Sequence, residues 1–376
     1  MDEHVTSADR ADDALPVVRL QGPADILGVL PHRLGFHPGE SLILVCLEGR
    51  RRRDRLVMRV DLPHKSDDRA VASELAARVR HVGASAVVAV VYTEANEPRG
   101  LPRRQLVTAL SKALARASVE LPEALLVRDG RWWSYLCDRP ACCPAEGTPL
   151  PAEPTVATTR YAAEAVAQGG AVLADREALR RTVEPADHPV ARAARAQAAA
   201  AADEVLDLAL QDGGLPAVRE LTLARLDALR SRWEEGHRRL AADDAALVVL
   251  GMRDKQARDA VMTAVLDDDV ESFVGLLSEL ARLTDDVEAA PVCTALAWVA
   301  YTAGNGALAA IAAERAVRVE PDYTMAGLLL DGMDRMVSPD ALRQVSAEVR
   351  ADLEADVRAE RKARWRLERG GREESG

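Results

Sequence analysis

Short apolar runs alternate with amphipathic stretches over the first 150 residues of the chain, a pattern typical of an α/β fold. The apolar runs predict strands at residues 17–20, 41–47, 56–62, 86–92, 124–128 and 131–136. Asp129 and Gly130 separate the last two runs, and this dipeptide is a strong signal for a two-residue hairpin turn. Helical periodicity predicts helices at residues 23–34, 66–80 and 103–118. We therefore predict a mixed sheet with flanking helices over residues 15–150.

The predicted first helix has residues that favour its start and its end, and one residue, Pro31, that disfavours its interior. Pro23 suits the first helical position, where its missing N–H leaves no hydrogen bond unmade, and Gly35 suits a left-handed C-terminal cap. Pro31 lies inside the helix, where it removes a backbone hydrogen bond at a cost of about 3 kcal/mol. We therefore expect a break or kink at Pro31 that turns His32 and Arg33 away from the apolar face.

The second half of the chain has a different composition. Residues 140–154 are rich in proline, which marks a junction between domains. Alanine-rich stretches with helical periodicity follow, and strand patterns are scarce. The predicted organisation is an α/β domain at residues 15–150 and an all-helical domain at residues 151–369, with disordered tails at residues 1–14 and 370–376.

Residues 290–321 resemble a single helical hairpin of the tetratricopeptide type. The small-residue, turn and terminal-proline positions of that repeat are occupied by Leu296, Ala297, Gly304, Ala309, Ala316 and Pro321. No second copy follows at the repeat spacing, and an ordinary pair of packed helices fits the pattern equally well. The segment has no charge from residue 289 to 313, but its central Gly-Asn-Gly turn favours two short buried helices over a membrane span.

Length, charge and the start of the chain narrow the class of protein. A length of 376 residues exceeds the usual size of one core, and an apolar share of 48% is sufficient for two. The net charge of −11 argues against general nucleic-acid binding, because such affinity comes from basic residues that neutralise phosphates. We interpret the basic run at residues 50–53 as a solvated loop. The start of the chain is polar and has no secretory pattern, so we expect a cytoplasmic protein without a membrane contact.

Several segments of the chain resemble one known family. They are the block at residues 22–38 with the strand at 41–47, and residues 59–63, 133–137, 142–149 and 308–321. Because these segments span most of the chain, it is identified as a member of an actinobacterial family known only as domain of unknown function 4192. The resemblance implies lineage and compartment, and it brings no activity, cofactor or site residue with it.

Polar side chains gather in sequence around the end of the first helix. The group consists of Asp25, His32, His37 and Ser41. These are the residue types of a serine hydrolase, in which serine attacks, histidine is the base and aspartate orients the imidazole. Ser41 begins a strand, however, and does not occupy the Gly-x-Ser-x-Gly turn of hydrolases. A zinc or iron site at His32, His37 and Asp61 is the other chemical interpretation, and side chains without a catalytic role are the simpler one.

Cys137, Cys142 and Cys143 form the sharpest chemical group in the sequence. One adjacent pair and a third thiol differ from the paired Cys-x-x-Cys motifs of structural zinc sites. A complete tetrahedral zinc site would need a distant fourth ligand such as His188. The alternatives are a redox-active pair at Cys142 and Cys143 and plain burial as small apolar side chains. Zinc is the candidate cofactor, and the three interpretations stay open.

The sequence lacks the phosphate-binding glycine loops of common nucleotide enzymes, and it has no complete catalytic motif. This favours a non-enzymatic adaptor or regulatory protein whose helical domain binds a protein partner. A hydrolytic or metal-assisted enzyme with a site around His32, His37 and Ser41 is the alternative. The second alternative is a thiol-based metal or redox sensor at Cys142 and Cys143.

Overall fold

The structure is a computed structural model that describes residues 19–49, 53–97, 100–167, 171–211, 214–267 and 269–373. Within these ranges its strands are β1 (Ser41–Glu48), β2 (Arg53–Asp61), β3 (Ala86–Tyr92), β4 (Glu120–Arg128), β5 (Arg131–Ser134) and β6 (Thr148–Pro149). Its helices there are α1 (Pro23–Leu34), α2 (Asp68–His81), α3 (Arg104–Arg116), α4 (Val156–Ala167), α5 (Arg176–Arg180), α6 (Pro189–Leu210), α7 (Gly214–Glu234), α8 (Ala242–Gly251), α9 (Lys255–Met262), α10 (Val270–Leu283), α11 (Ala289–Thr302), α12 (Gly306–Val319), α13 (Thr324–Asp334) and α14 (Pro339–Glu373).

The strands form one mixed sheet in the order β2-β1-β3-β4-β5-β6. β3 and β4 are parallel and are joined through α3, while the other neighbouring pairs are antiparallel. Asp129 and Gly130 have φ angles of 50° and 68° and form the two-residue turn between β4 and β5. The mixed α/β sheet and its hairpin are therefore confirmed, as is the run of helices after it.

One detail of the predicted first part differs from the structure, and a second lies almost entirely outside the described residues. The strand predicted at residues 17–20 is wrong where it can be compared, because Arg19 and Leu20 belong to no strand, and residues 17 and 18 lie outside the described residues. The basic run at residues 50–53 also lies outside them, except for residue 53 at the start of β2.

Both faces of the sheet are buried because its central strands are continuous apolar runs. Leu42 and Leu44 of β1 belong to the core that α2 and α3 cover, where Leu110 packs with them. Ile43 and Val45, at the alternating positions, belong to a second core on the other face. That second core continues through α1 into the helices from α6 onward, so the helical part of the chain packs directly on the sheet.

The first helix, α1, runs unbroken through Pro31, so the predicted break is wrong. Pro31 lies in the last turn, and the buried side chains of Leu30 and Leu34 on either side hold that turn against the core. Gly35 ends the helix with a φ of 76°, as its predicted capping role requires. His32 is half-buried, with its ring 6.4 Å from the ring of Tyr161 in α4, and Arg33 is exposed.

The helical hairpin at residues 290–321 consists of α11 and α12. Gly304 has a φ of 86°, and the Asn305 side chain accepts a 3.1 Å hydrogen bond from the N–H of Leu308 to cap α12. The predicted pair of short buried helices is confirmed, while the tetratricopeptide likeness stays a prediction. Among the described residues, no helix has the length and apolar content that crossing a membrane requires.

Two helical glycines should respond in opposite ways to alanine. A Cβ at Gly251, at the end of α8, would lie 1.9 Å from the Oγ1 of Thr222, and Thr222 is fully buried with its hydroxyl donated to Val218. We expect Gly251→Ala to lower the free energy of unfolding by about 1–3 kcal/mol. Gly327 in α13 has no heavy atom within 4 Å of such a Cβ, so Gly327→Ala should raise it by about 0.5–1 kcal/mol. Denaturant midpoints compare the two variants, and equal shifts would contradict the packing argument.

Candidate functional site

The three cysteines lie in the loop between β5 and β6, at one end of the strand order. Ser134, the last residue of β5, is buried, and its hydroxyl accepts 3.1 Å hydrogen bonds from the N–H groups of Leu136 and Cys137. The same hydroxyl donates to the Glu123 carboxylate of β4 at 2.7 Å. This pair of acceptor bonds turns the chain away from the sheet and fixes the backbone of Cys137.

A tight turn brings the other two cysteines back to Cys137. The Arg139 carbonyl accepts hydrogen bonds from the N–H groups of both Cys142, at 3.2 Å, and Cys143, at 2.8 Å. Pro140 lies within the turn, where its fixed φ reduces the conformations open to the chain. The turn therefore places three thiols on one short segment of backbone.

The far side of the loop is fastened to β5 by two side chains. The Arg131 guanidinium donates to the carbonyls of Glu146, at 2.8 Å, and Gly147, at 3.1 Å. The Trp133 indole N–H donates to the Ala145 carbonyl at 3.0 Å. Both side chains come from alternate positions of one short strand, and together they hold the loop that carries the thiols.

Gly147 should be essential to this arrangement. It has a φ of 79°, and a Cβ there would lie 2.4 Å from the Trp133 indole. We expect Gly147→Ala to strain the backbone by about 1–3 kcal/mol and to displace the indole, which loosens the loop that carries the thiols. Gly83→Ala is the control, because Gly83 has a φ of 74° and open space around its Cβ position. Urea denaturation compares the two variants, and a midpoint for Gly147→Ala equal to that of Gly83→Ala would contradict this role of the glycine.

The sulfur atoms of Cys137, Cys142 and Cys143 all lie within 4.8 Å of one another. The sulfurs of Cys137 and Cys142 are 3.3 Å apart. Zinc binds thiolate sulfur at about 2.3 Å, so two sulfurs on one tetrahedral ion lie about 3.8 Å apart. The three thiols thus fit a single zinc ion with small side-chain movements. Cys142 is exposed and the other two are half-buried, which gives a metal an entry path from solvent.

The thiols differ in how readily they ionise. A hydrogen bond from the Arg139 backbone, followed by those from the Cys143 and Cys142 thiols, lowers the pKa of Cys137. Burial, reinforced by the hydrogen bonds that the protonated Cys143 thiol donates to the other two sulfurs, raises the pKa of Cys143 to about 12. The group therefore contains one favoured thiolate, and a metal has to displace the proton of Cys143 to bind all three.

His188, named as an example of the distant fourth ligand that a complete tetrahedral site would need, does not join the three thiols. Its Nδ1 accepts a 3.2 Å hydrogen bond from the N–H of Ala191 at the start of α6, and its Nε2 lies 3.7 Å from the Glu279 carboxylate. Within the described part of the chain, the metal-ligand cluster consists of the three cysteines alone. A metal with three protein ligands keeps a coordination position for a ligand from solution.

The candidate catalytic and metal-binding residues around the end of α1 each contact a different partner. Ser41 is buried and donates its hydroxyl to the Gly39 carbonyl at 2.8 Å. Its strand partner Asp61 has a side chain that is 80% exposed and paired with Arg59 at 2.6 Å. Asp25 accepts a 2.7 Å hydrogen bond from the N–H of residue 21 in front of its own helix.

His32 and His37 lie near each other but make no hydrogen bond to Ser41 in the part of the chain that the structure describes. Burial, with a smaller effect from His37, lowers the pKa of His32. His37 is exposed, and its backbone N–H donates to the Leu173 carbonyl at 3.0 Å. Ser41 therefore uses its hydroxyl proton on a backbone carbonyl and not on a histidine. The catalytic interpretation of this group stays a prediction.

Sequence reasoning missed the residues that shape the cysteine loop. Ser134, Arg131, Trp133 and Gly147 hold the loop, yet only the cysteines carry a chemical signal in the sequence. The alternation of the predicted last strand contains a usable hint, since residues 131 and 133 share one side of a strand. This alternation does not show that the side chains of residues 131 and 133 donate hydrogen bonds to the carbonyls of residues 145–147 in the cysteine loop.

Comparisons with known proteins give one match. No curated protein and no solved structure matches the chain. The family described as "Domain of unknown function (DUF4192)" matches residues 23–340, which include the sheet, the cysteine loop and the helices through the start of α14. The chain therefore belongs to the DUF4192 family.

Proposed function

We propose that this protein is a thiol-based metal sensor that binds one zinc ion through Cys137, Cys142 and Cys143. The observation that supports the proposal is the convergence of three sulfur atoms within 4.8 Å at an accessible loop. Thiolate ligands favour zinc and copper(I) over the hard cations, and zinc is the more general occupant of such groups. Three protein ligands suit a site that exchanges its metal or its fourth ligand with solution.

The surroundings of the thiols support a built site. The backbone of Cys137 is tied to Ser134, and those of Cys142 and Cys143 are tied to one carbonyl, that of Arg139. Ordering three thiols before the metal arrives lowers the entropy cost of binding. Arg131 of β5 donates a hydrogen bond to the loop, and β5 pairs with β6. Binding or loss of the metal at the thiols would therefore change the position of the sheet edge and of the chain that leads to α4.

The test is a metal analysis of protein purified without chelator and then loaded with zinc. We expect about one zinc ion per chain in the wild type, and a loss of zinc in the Cys137→Ser, Cys142→Ser, Cys143→Ser triple variant. Cys293→Ala is the matched control, since Cys293 is a fully buried thiol in α11, distant in sequence from the loop. A wild type that stays free of zinc, or a triple variant that binds it equally, would contradict the proposal.

An adaptor role of the helical part is a second proposal, supported by apolar exposure at one place. Leu206 and Leu210 near the end of α6 and Leu215 near the start of α7 have exposed side chains, between 55% and 77%. Contiguous exposed apolar side chains mark contacts with other proteins, and these three leucines lie within ten residues of one another along the chain. We expect a triple change to lysine to leave folding intact and to abolish capture of a specific partner, and capture that is unaffected would contradict this role.

A further inference from the structure

The spacing of two of the three thiols suits a second kind of chemistry. The sulfurs of Cys137 and Cys142 are 3.3 Å apart, and a disulfide bond is about 2.05 Å long, so they need to approach by about 1.2 Å. Rotation of two side chains on an exposed loop is sufficient for such a movement. The backbone between them is already closed by the hydrogen bond from Cys142 to the Arg139 carbonyl.

The other pairs are less suited to a disulfide. Cys142 and Cys143 are neighbours in sequence, so their Cα atoms are about 3.8 Å apart, below the 4.4 Å minimum usual for disulfides. Cys143 is also half-buried, whereas Cys142 is exposed to an oxidant from solution. The sulfurs of Cys137 and Cys143 also lie within 4.8 Å, so the 3.3 Å contact and the exposure of Cys142 are what favour the pair of Cys137 and Cys142.

We propose that Cys137 and Cys142 form a reversible disulfide when a hydroperoxide reaches the loop, and that this oxidation releases the bound metal. The two sulfurs lose two electrons, and the S–S bond forms. In the metal-free protein the two thiol protons pass to the peroxide oxygens, and in the metal-bound protein, whose thiolates carry no protons, two protons come from solvent. The O–O bond of the peroxide breaks, and both oxygens leave as water or, for an alkyl peroxide, as water and an alcohol. The metal loses two of its three protein ligands, so the release rests on the proposed function while the disulfide does not.

The first arm of the test uses metal-free, full-length protein treated with one equivalent of hydrogen peroxide. Free thiols should fall from five to three per chain, and the peptide that contains residues 137–143 should be lighter by two hydrogens and resist alkylation at Cys137 and Cys142. Dithiothreitol should restore all five thiols. The Cys143→Ser variant should still form the bond, and the Cys142→Ser variant should not.

The second arm uses zinc-loaded wild type, with a chromogenic chelator that reports free zinc. Peroxide should release about one zinc ion per chain at the rate at which the disulfide forms. A disulfide that includes Cys143, sulfinic acid in place of a disulfide, or zinc retained after the bond has formed would each overturn the inference. Protein that binds no zinc but forms the disulfide would instead refute the proposed function, because the first arm does not depend on metal.

Discussion

Replacing Arg315 with methionine should lower the free energy of unfolding by about 3–5 kcal/mol, the largest effect we expect from any single substitution on stability. The Arg315 side chain on α12 is 1% exposed. Its guanidinium donates to the carbonyls of Val183, Ala281, at 2.7 Å, and Thr284, at 2.9 Å. Methionine preserves the length of the side chain but supplies no donor, and these buried carbonyls then lose their partners.

The position of those carbonyls explains the size of the effect. Val183 follows α5, while Ala281 and Thr284 lie at the end of α10, so one guanidinium joins three parts of the helical core. The Arg315 guanidinium also contacts the Asp286 carboxylate, at 3.3 Å, at the rim of the same group. Removing the cation leaves the ends of two helical segments without the donor that closes them.

Arg318 provides the control for Arg315. It lies one turn further along α12, its side chain is 51% exposed, and it pairs with Glu184 at 2.7 Å. Exposed ion pairs contribute about 0–1 kcal/mol, so Arg318→Met should have a small effect. Urea denaturation followed by circular dichroism compares the midpoints of the two variants. Equal midpoints would show that the buried guanidinium does not join these segments.

Strands β1 to β5 were accessible from the sequence because their signals are local. A continuous apolar run of a few residues is enough to predict a strand, and the dipeptide of Asp129 and Gly130 between two such runs is enough to predict a hairpin. The predicted break at Pro31 failed because a tertiary effect prevails over a local one. Leu30 and Leu34 hold the last turn of α1 in the core, and this burial offsets the single lost hydrogen bond.

Arg315 and the cysteine loop show why the remaining features were not accessible. An arginine in an alanine-rich helix is expected to face solvent, and only the packed helices show that three carbonyls surround it. The cysteines were recognised as a group, but their convergence depends on one carbonyl at Arg139 and on anchors from β5. His188 was one candidate for a fourth ligand and instead caps α6, because the sequence does not report the distance between remote segments.

Removing zinc should lower the free energy of unfolding of the zinc-loaded protein by about 4 kcal/mol. This value applies when the free zinc concentration before removal is about a thousand times the dissociation constant. The reason is mass action at the proposed site, because a zinc ion held by the three converging thiols of the folded loop would bind that loop more tightly than the unfolded chain. Thermal unfolding with and without a strong chelator measures the effect. The stabilisation by zinc should also fall as the pH falls, since protons compete with the metal for thiolate sulfur.

The triple variant Cys137→Ser, Cys142→Ser, Cys143→Ser separates this effect from other actions of the chelator. Its midpoint should be the same with and without chelator and should show no zinc-dependent change with pH, because the metal has no thiolate to bind. The variant should otherwise unfold near the midpoint of the metal-free wild type, since the thiols lie in an exposed loop and contribute little to either core. If chelator lowers both midpoints equally, the metal that matters lies elsewhere, and the three thiols are not its ligands.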